Sequence, residues 1–243
     1  MSRFRVGIDI GGTFTDIVFL NSEGRLFTKK VPSSVDNYAR AIVEGMAEVF
    51  DEASITPKDI RELRHGTTVA SNAILELKGA RVGLITSAGF RDVLEIRTLR
   101  MPRLYDLAWE KPPSLVERYL RQVVDERINA NGVIERRPQR SEVEQVVRRL
   151  LDEKVEAIAI CLINAYANPD NERFVEQIVK EMAPDLPLCI SADVLPEMKE
   201  YERTSTTVIN AYVLPVVGTY LTALRKGLDG DGISAPIYLM QSN

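Results

Sequence analysis

The run Val6-Gly-Ile-Asp-Ile-Gly-Gly-Thr-Phe-Thr-Asp16 constrains this chain more than any other segment. An apolar strand pattern ends beside an acidic residue, two glycines permit a tight reversal, and a second alternating strand runs from Phe14 to Leu20. The spacing predicts a strand, a phosphate-sized turn and a strand. Gly11 and Gly12 carry no Cβ, so backbone N–H groups there can approach an anion closely, and the hydroxyls of Thr13 and Thr15 add two donors. Asp9 stands where its carboxylate can hold a magnesium ion through water, which suits a cation that dehydrates reluctantly. Asp16 alternates with Phe14 and is a candidate to support these groups. The competing interpretation is a Gly-Gly hairpin turn with an acidic flank.

The rest of the chain reads as α/β. Strands at about 4–10, 14–20 and 25–31 form a meander, with Asn21-Ser-Glu-Gly24 as a reversal. Ala39, Ile42, Val43, Met46, Ala47 and Phe50 share one face of a helix over 36–53. A second helix is expected over 67–78, ended by Gly79, followed by a buried strand over 81–86. Ser141-Glu-Val-Glu144 matches a capping box for a helix over 142–153, and Asn168-Pro169 opens a helix over 169–182. Strands at 157–163 and 187–192 flank the latter as a βαβ unit, and a long helix over 202–228 carries Val208, Ile209, Tyr212 and Val216 toward the core, with Pro215 inside it. Residues 97–118, with Pro102, Pro112, Pro113, Tyr105 and Trp109, read as an irregular excursion whose aromatic and arginine content suits an interface. The expected division is 1–96, the excursion 97–118, a second α/β part 119–200, and 201–243 as a long helix and the start of a further domain.

Two other polar groupings carry possible chemistry. His65-Gly66-Thr67-Thr68 precedes a helix, where backbone N–H groups and threonine hydroxyls favour an anion and His65 can polarise a carbonyl or move a proton. The alternative is that Thr67 caps the helix and His65 is a hydrogen-bonded residue at a strand end. Glu197, Tyr201, Glu202, Arg203 and Thr204 to Thr207 form a third group. They read either as a helix-start region with a surface ion pair or as a site where Arg203 meets a carboxylate or phosphate through its two-pronged guanidinium.

The first string resembles the phosphate loop of the actin and hexokinase superfamily of ATPases. His65-Gly-Thr-Thr-Val-Ala-Ser-Asn72, Arg81-Val-Gly-Leu-Ile-Thr86, Gly89-Phe-Arg-Asp-Val-Leu-Glu-Ile96, Cys161-Leu162 leading to Tyr166-Ala-Asn-Pro169, Leu195-Pro-Glu197, Tyr201-Glu-Arg-Thr-Ser-Thr-Thr207 and Met240-Gln-Ser-Asn243 resemble, in order, segments of the hydantoinase A/5-oxoprolinase family. That family includes a subunit of acetone carboxylase-type enzymes. The resemblance implies a ribonuclease H-like N-terminal lobe, ATP and Mg2+ as cofactors, and ATP-driven opening of 5-oxoproline, a hydantoin or N-methylhydantoin. It implies that Asp9, Gly11, Gly12, Thr13 and Thr15 hold the Mg-phosphate, with Asp9 the metal-side residue. His65, Thr67, Thr68, Glu197 and Arg203 are then the catalytic candidates. Family members run longer and close ATP between two lobes, and this chain has no second D-x-G-G, so it is expected to be an N-terminal half working with a downstream domain or companion subunit. The rivals are a non-catalytic nucleotide-binding or assembly module and a sugar- or acetate-kinase-like phosphotransferase.

Composition narrows the partners. The 243 residues carry a net charge of −4, and the cluster Arg97, Arg100 and Arg103 is surrounded by Asp92, Glu95, Asp106 and Glu110, which disfavours nucleic acid. The N-terminus enters a strand directly and no apolar run near 18 residues stands out, so a membrane is not expected and a cytoplasmic setting is. Cys161 and Cys189 sit in apolar strand-like runs and read as reduced, buried thiols. A homo-oligomer is compatible with the sequence.

Overall fold

The structure, a computed structural model, describes residues 3–33, 38–98, 106 and 108–240. Contacts divide the chain into two compact units, Met1–Lys78 with Val216–Asn243, and Gly79–Pro215. Arg100, Pro102, Arg103, Tyr105 and the end of the Met240 to Asn243 string lie outside the described residues.

The first unit begins with strands β1 (Phe4–Ile10), β2 (Phe14–Asn21) and β3 (Leu26–Pro32). In β1, Phe4, Val6, Ile8 and Ile10 are buried while Arg5 and Asp9 are exposed, the two-residue period of a strand with one core face. Gly24, at φ +81, makes the expected β2–β3 reversal, a conformation that glycine adopts without a Cβ penalty. Helix α1 (Tyr38–Ala53) follows, then a 3-10 turn at Pro57–Asp59, β4 (Ile60–Thr67) and the short helix α2 (Val69–Leu75). On α1, Ala39, Ile42 and Met46 are buried as expected, but Ala47 is exposed and Val49 takes a core position. Gly45 lets α1 lie close on the sheet, because a Cβ there would stand 2.7 Å from the Ile17 side chain.

The second unit contains β5 (Val82–Ser87), α3 (Val93–Ile96), a 3-10 turn at Arg118–Leu120, β6 (Arg121–Val124) and the hairpin β7 (Arg127–Ile128) and β8 (Ile134–Arg136). It continues through α4 (Arg140–Asp152), β9 (Ala157–Cys161), α5 (Asp170–Met182), β10 (Leu188–Ile190) and α6 (Ser191–Val194). Its sheet runs β10-β9-β5-β6, all parallel. Every residue of β5 and β9 is buried, the continuous burial of strands covered on both faces. The expected βαβ unit is β9-α5-β10.

Helix α7 (Glu200–Gly230) contributes its first half to the second unit and its later half to the first, with the division at Pro215 inside the helix. Residues 204–224 hold no charge, and α7 is long and apolar enough by length and composition to cross a membrane, which the sequence reading did not register. Its buried residues include Val208, Ala211 and Tyr212 in the second unit and Tyr220, Leu224 and Leu228 in the first, and a third of its apolar window is buried. Strand β11 (Ile237–Leu239) completes the first unit's sheet, ordered β3-β2-β1-β4-β11. β4 and β11 run parallel to β1, whereas β2 is antiparallel to both β1 and β3. This is the ribonuclease H-like arrangement.

Several boundaries differ from expectation for identifiable reasons. The 67–78 helix is shortened at its start because Thr67 completes β4, and at its end by Leu77, whose φ is +53, so Gly79 is not its cap. Gly79 is required by packing instead, since a Cβ there would fall 2.1 Å from the Tyr212 ring. The Ser141 capping box does not form: α4 starts at Arg140 after Gln139, which puts Ser141 inside the helix, and Glu144 pairs with Arg140 at 2.9 Å and Arg148 at 3.5 Å. Asn168 does accept the Asp170 N–H at 2.9 Å, although Pro169 is the residue preceding α5.

Candidate functional site

The β1–β2 turn and the β4–α2 turn meet at one end of the first sheet. Parallel register sets Asp9 beside Gly66 and Ile10 beside Thr67. The Thr68 N–H and hydroxyl both donate to the Ile10 carbonyl, at 3.3 and 3.1 Å, and tie the second turn to the first. Two strings about 55 residues apart in the chain thus become one cluster.

Within it the residues divide into exposed and internal groups. Asp9, Gly12 and Thr13 are exposed, and no described residue forms a hydrogen bond or ion pair with the Asp9 carboxylate. Asp16, by contrast, is ion-paired to Lys30 across β2–β3 at 2.9 Å. The Gly11 N–H is spent inside the hairpin on the Phe14 carbonyl at 3.0 Å, so it does not face an anion as expected. Neither Gly11 nor Gly12 has a positive φ, and a Cβ on Gly12 would stand 3.8 Å from the Asn72 amide nitrogen. Thr15 is fully buried. Ser33 donates its hydroxyl proton to the Gly11 carbonyl at 2.9 Å, so the 3.0 Å contact between Thr15 and Ser33 must use the Thr15 proton. The expected donor of Thr15 is therefore consumed in bracing the loop from beneath.

In the second turn, Thr67 Oγ1 accepts the Val69 N–H at 3.2 Å and Thr68 is the residue preceding α2. Asn72 donates to Thr68 Oγ1 at 3.4 Å. Gly66 has a steric reason to be glycine: a Cβ there would sit 3.1 Å from Asp9 Oδ1. His65 is completely buried, with Nδ1 3.3 Å from the Ile8 carbonyl and Nε2 2.5 Å from the Tyr220 hydroxyl. A carbonyl only accepts, so Nδ1 carries the proton and Tyr220 donates to Nε2. Burial holds the His65 pKa below its usual value, partly opposed by the Ile8 carbonyl and Asp9, and burial pushes the Tyr220 phenol up. The ring is thus neutral with both nitrogens engaged, which answers to the hydrogen-bonded alternative at a strand rather than to a proton carrier.

Glu197 and Arg203 belong to the second unit. Arg203 is buried, donating to the Leu162 carbonyl at 2.8 Å and the Glu197 carbonyl at 3.3 Å, with its guanidinium 5.6 Å from the Tyr166 ring centre. The Glu197 side chain is exposed. Arg203 accordingly turns both terminal nitrogens to backbone carbonyls, leaves its buried Nε without a partner, and forms no ion pair among the described residues.

Beside it lies a carboxylate that sequence reading missed. Glu172 is buried and accepts from the Leu162 N–H (2.8 Å), the Ser191 hydroxyl (2.6 Å) and the Ala192 N–H (2.9 Å). Burial pushes its pKa up to about 7, against those donors and Arg203. Cys161 and Cys189 are free, and burial raises both thiols, Cys189 to about 11, so neither is a ready nucleophile. Ser33 and Tyr220 carry no local signal, whereas Gly66 and Asn72 stand inside the His65 to Asn72 string.

Comparison with known proteins matches residues 5–183 to a family model described as the hydantoinase/oxoprolinase N-terminal region and residues 203–243 to one described as hydantoinase/oxoprolinase. Caprolactamase subunit alpha of Pseudomonas jessenii is 34% identical over 99% of this chain and 36% of its own length. A crystal structure of ATP-dependent caprolactamase from that organism aligns with a TM-score of 0.90 and 33% identity, covering 98% of this chain and 35% of that one. The 5-oxoprolinase 1 of Arabidopsis thaliana is 31% identical over 99% of this chain and 21% of its own length. A nucleotide-free acetone carboxylase structure aligns with a TM-score of 0.87 and 25% identity, over 99% of this chain and 36% of that one. The chain spans between about a fifth and about a third of the length of these proteins.

Proposed function

Because the chain belongs to the hydantoinase/oxoprolinase family, we propose that it forms the phosphate-handling part of an ATP-dependent enzyme that opens a small cyclic amide such as 5-oxoproline, a hydantoin or a lactam. The observation that carries this reading is the Asp9 carboxylate, exposed and without a hydrogen-bond or ion-pair partner among the described residues, at the turn shared by Gly12, Thr13, Thr67 and Thr68. A phosphate needs donors and a magnesium ion needs one or two carboxylates with room for water. Among the described residues no group of three or more His, Cys, Asp or Glu side chains is arranged to hold a metal, so the fit is to a magnesium ion held by Asp9 and phosphate oxygens. Such an ion would neutralise charge developing on the transferred phosphoryl group.

Within the chain the roles divide by geometry. Gly12, Thr13, Thr67 and Thr68 line the phosphate side, and Thr15 with Ser33 fixes the loop. His65 acts through position, linking β4 to β1 at Ile8 and to α7 at Tyr220. Arg203 shapes the start of α7, with Glu197 giving it a carbonyl. An amide carbonyl is a poor electrophile, and phosphorylation of its oxygen makes attack by water and ring opening feasible. A companion subunit or downstream domain supplies what these residues do not, and a cytoplasmic setting suits an ATP-dependent step.

A second reading, favoured by the 0.87 TM-score to acetone carboxylase, assigns the same phosphate site to a carboxylase-type subunit. The two share the nucleotide step and part at the product. Calorimetric titration of the chain with ATP, with and without Mg2+, tests the shared step: Asp9→Asn is expected to abolish the magnesium-dependent part of binding. Binding that is indifferent to magnesium, or to Asp9→Asn, refutes the phosphate-site reading. Product analysis with the complete assembly then separates an opened acid from a carboxylated product, and a stable phosphorylated product from either.

A further inference from the structure

The second unit holds a cavity of about 200 Å3 that the phosphate-site reading does not use. Leu94 of α3, Pro113 and Leu115 from the segment before the 3-10 turn, and Val208 and Ile209 of α7 give it an apolar body. One charged residue lines it, Arg97, accompanied by the hydroxyl-bearing Ser114, Tyr201 and Ser205. An apolar pocket with a few convergent polar groups is the usual form of a small-molecule site.

Among the described residues Arg97 has no counter-ion, and the reason is visible on α3. Asp92 is taken by Arg118 at 2.9 Å and Glu95 by Arg121 at 3.2 Å, so both nearby acids are already neutralised. The Arg97 guanidinium donates from Nη2 to the Pro112 carbonyl and pairs with no described carboxylate. The residue is only half-exposed. Its backbone, at φ 58 and ψ −144, lies in a region that is close to glycine-only, and such strain persists where surrounding structure imposes it, as it does around functional sites. Lys199, Glu200 and Glu202 line an adjoining cavity that shares Arg97 and Tyr201, and neither glutamate closes on the guanidinium.

We propose that this cavity binds a small molecule with a compact apolar body and a single carboxylate, the carboxylate engaging the free edge of Arg97 and the Tyr201 or Ser205 hydroxyl. A planar guanidinium recognises a carboxylate through paired N–H donors. 5-Oxoproline has this chemistry, and its choice as a probe rests on the cyclic-amide reading. The carboxylate site itself does not.

The test is a calorimetric or NMR titration of the full chain with three matched probes: 5-oxoproline, cyclopentanecarboxylate, which lacks the lactam, and 2-pyrrolidinone, which lacks the carboxylate. Both acids are expected to bind, and 2-pyrrolidinone about tenfold more weakly or worse, the loss expected for one charge-assisted hydrogen bond. Arg97→Gln should weaken both acids by about tenfold or more with the unfolding temperature retained, and Arg97→Lys by less. Ser205→Phe, which fills the cavity from α7, should block both acids even if Arg97 variants fold poorly. Equal binding of 2-pyrrolidinone, unchanged acid binding by folded Arg97→Gln, or no binding of either acid overturns the proposal. Binding of cyclopentanecarboxylate without 5-oxoproline upholds the carboxylate site and removes the cyclic-amide acid as its occupant. The Mg-ATP titration of Asp9→Asn reads the phosphate site separately, so failure of one is not failure of the other.

Discussion

Replacing Tyr220 by phenylalanine removes one oxygen atom from the interior of the first unit and leaves His65 Nε2 facing apolar surroundings. Water does not reach the fully buried ring, so the lone pair loses its partner without replacement. The cost of an orphaned buried acceptor is about 1–3 kcal/mol. For a chain of this size each kcal/mol lowers the unfolding midpoint by about 2–4 °C, so a loss near 2 kcal/mol appears as about 4–8 °C. Calorimetry or urea titration of the chain and its Tyr220→Phe variant measures this directly. The acid side gives a second reading of the same contact. His65 has a folded pKa below its unfolded value, so its stabilising contribution is present above about pH 6.5 and lost as pH falls toward the folded value. In that window the unfolded chain takes up a proton that the folded chain refuses, at up to about 1.4 kcal/mol per pH unit. His65→Asn keeps an N–H for the Ile8 carbonyl and cannot titrate, so the stability difference between parent and variant should shrink as pH falls from 6.5 to 5. A Tyr220→Phe variant as stable as the parent, together with a pH-independent His65→Asn difference, would refute the neutral, doubly bonded imidazole.

Gly66→Ala places a methyl group about 3.1 Å from Asp9 Oδ1. Because that carboxylate is exposed and can rotate, stability should stay within about 0.5 kcal/mol of the parent while magnesium-dependent ATP binding falls about tenfold; unchanged binding would show that the position of Asp9 is immaterial. Glu172 has the opposite pH sign to His65: its folded pKa is raised from 4.5 to about 7, so its stability is fully present below pH 4.5 and lost as pH rises through 7, on the order of 3 kcal/mol in all. The stability of Glu172→Gln relative to the parent should therefore rise between pH 4.5 and 7 and level off above. A flat difference in urea unfolding would mean that the three donors and Arg203 fully offset burial of the charge.

Legibility followed the range of the interactions. The β1-turn-β2 unit was readable because alternation, an acidic strand end and paired glycines are all local, and the fully apolar β5 and β9 announce themselves by composition. Strand β4 was harder: Arg61, Glu62 and Arg64 break its alternation, and what makes it a strand is its place between β1 and β11. The capping box at Ser141 failed because α4 begins one residue earlier, at Arg140, which takes up Glu144 and also reaches Glu181 of α5, 41 residues away.

By itself the sequence determined the ribonuclease H-like class, the family and the residues from which a phosphate site would be drawn. Only the tertiary structure decided how those residues divide. Thr15 and His65 turn inward because their strand faces point to the core, where Ser33 and Tyr220, the latter 155 residues away from His65, satisfy them. Asp9 and Gly12 remain outside because they sit on the opposite face and at the turn. The alternation of a strand tells which residues share a face, but which face is buried, and against what, depends on helices and strands that arrive from elsewhere in the chain.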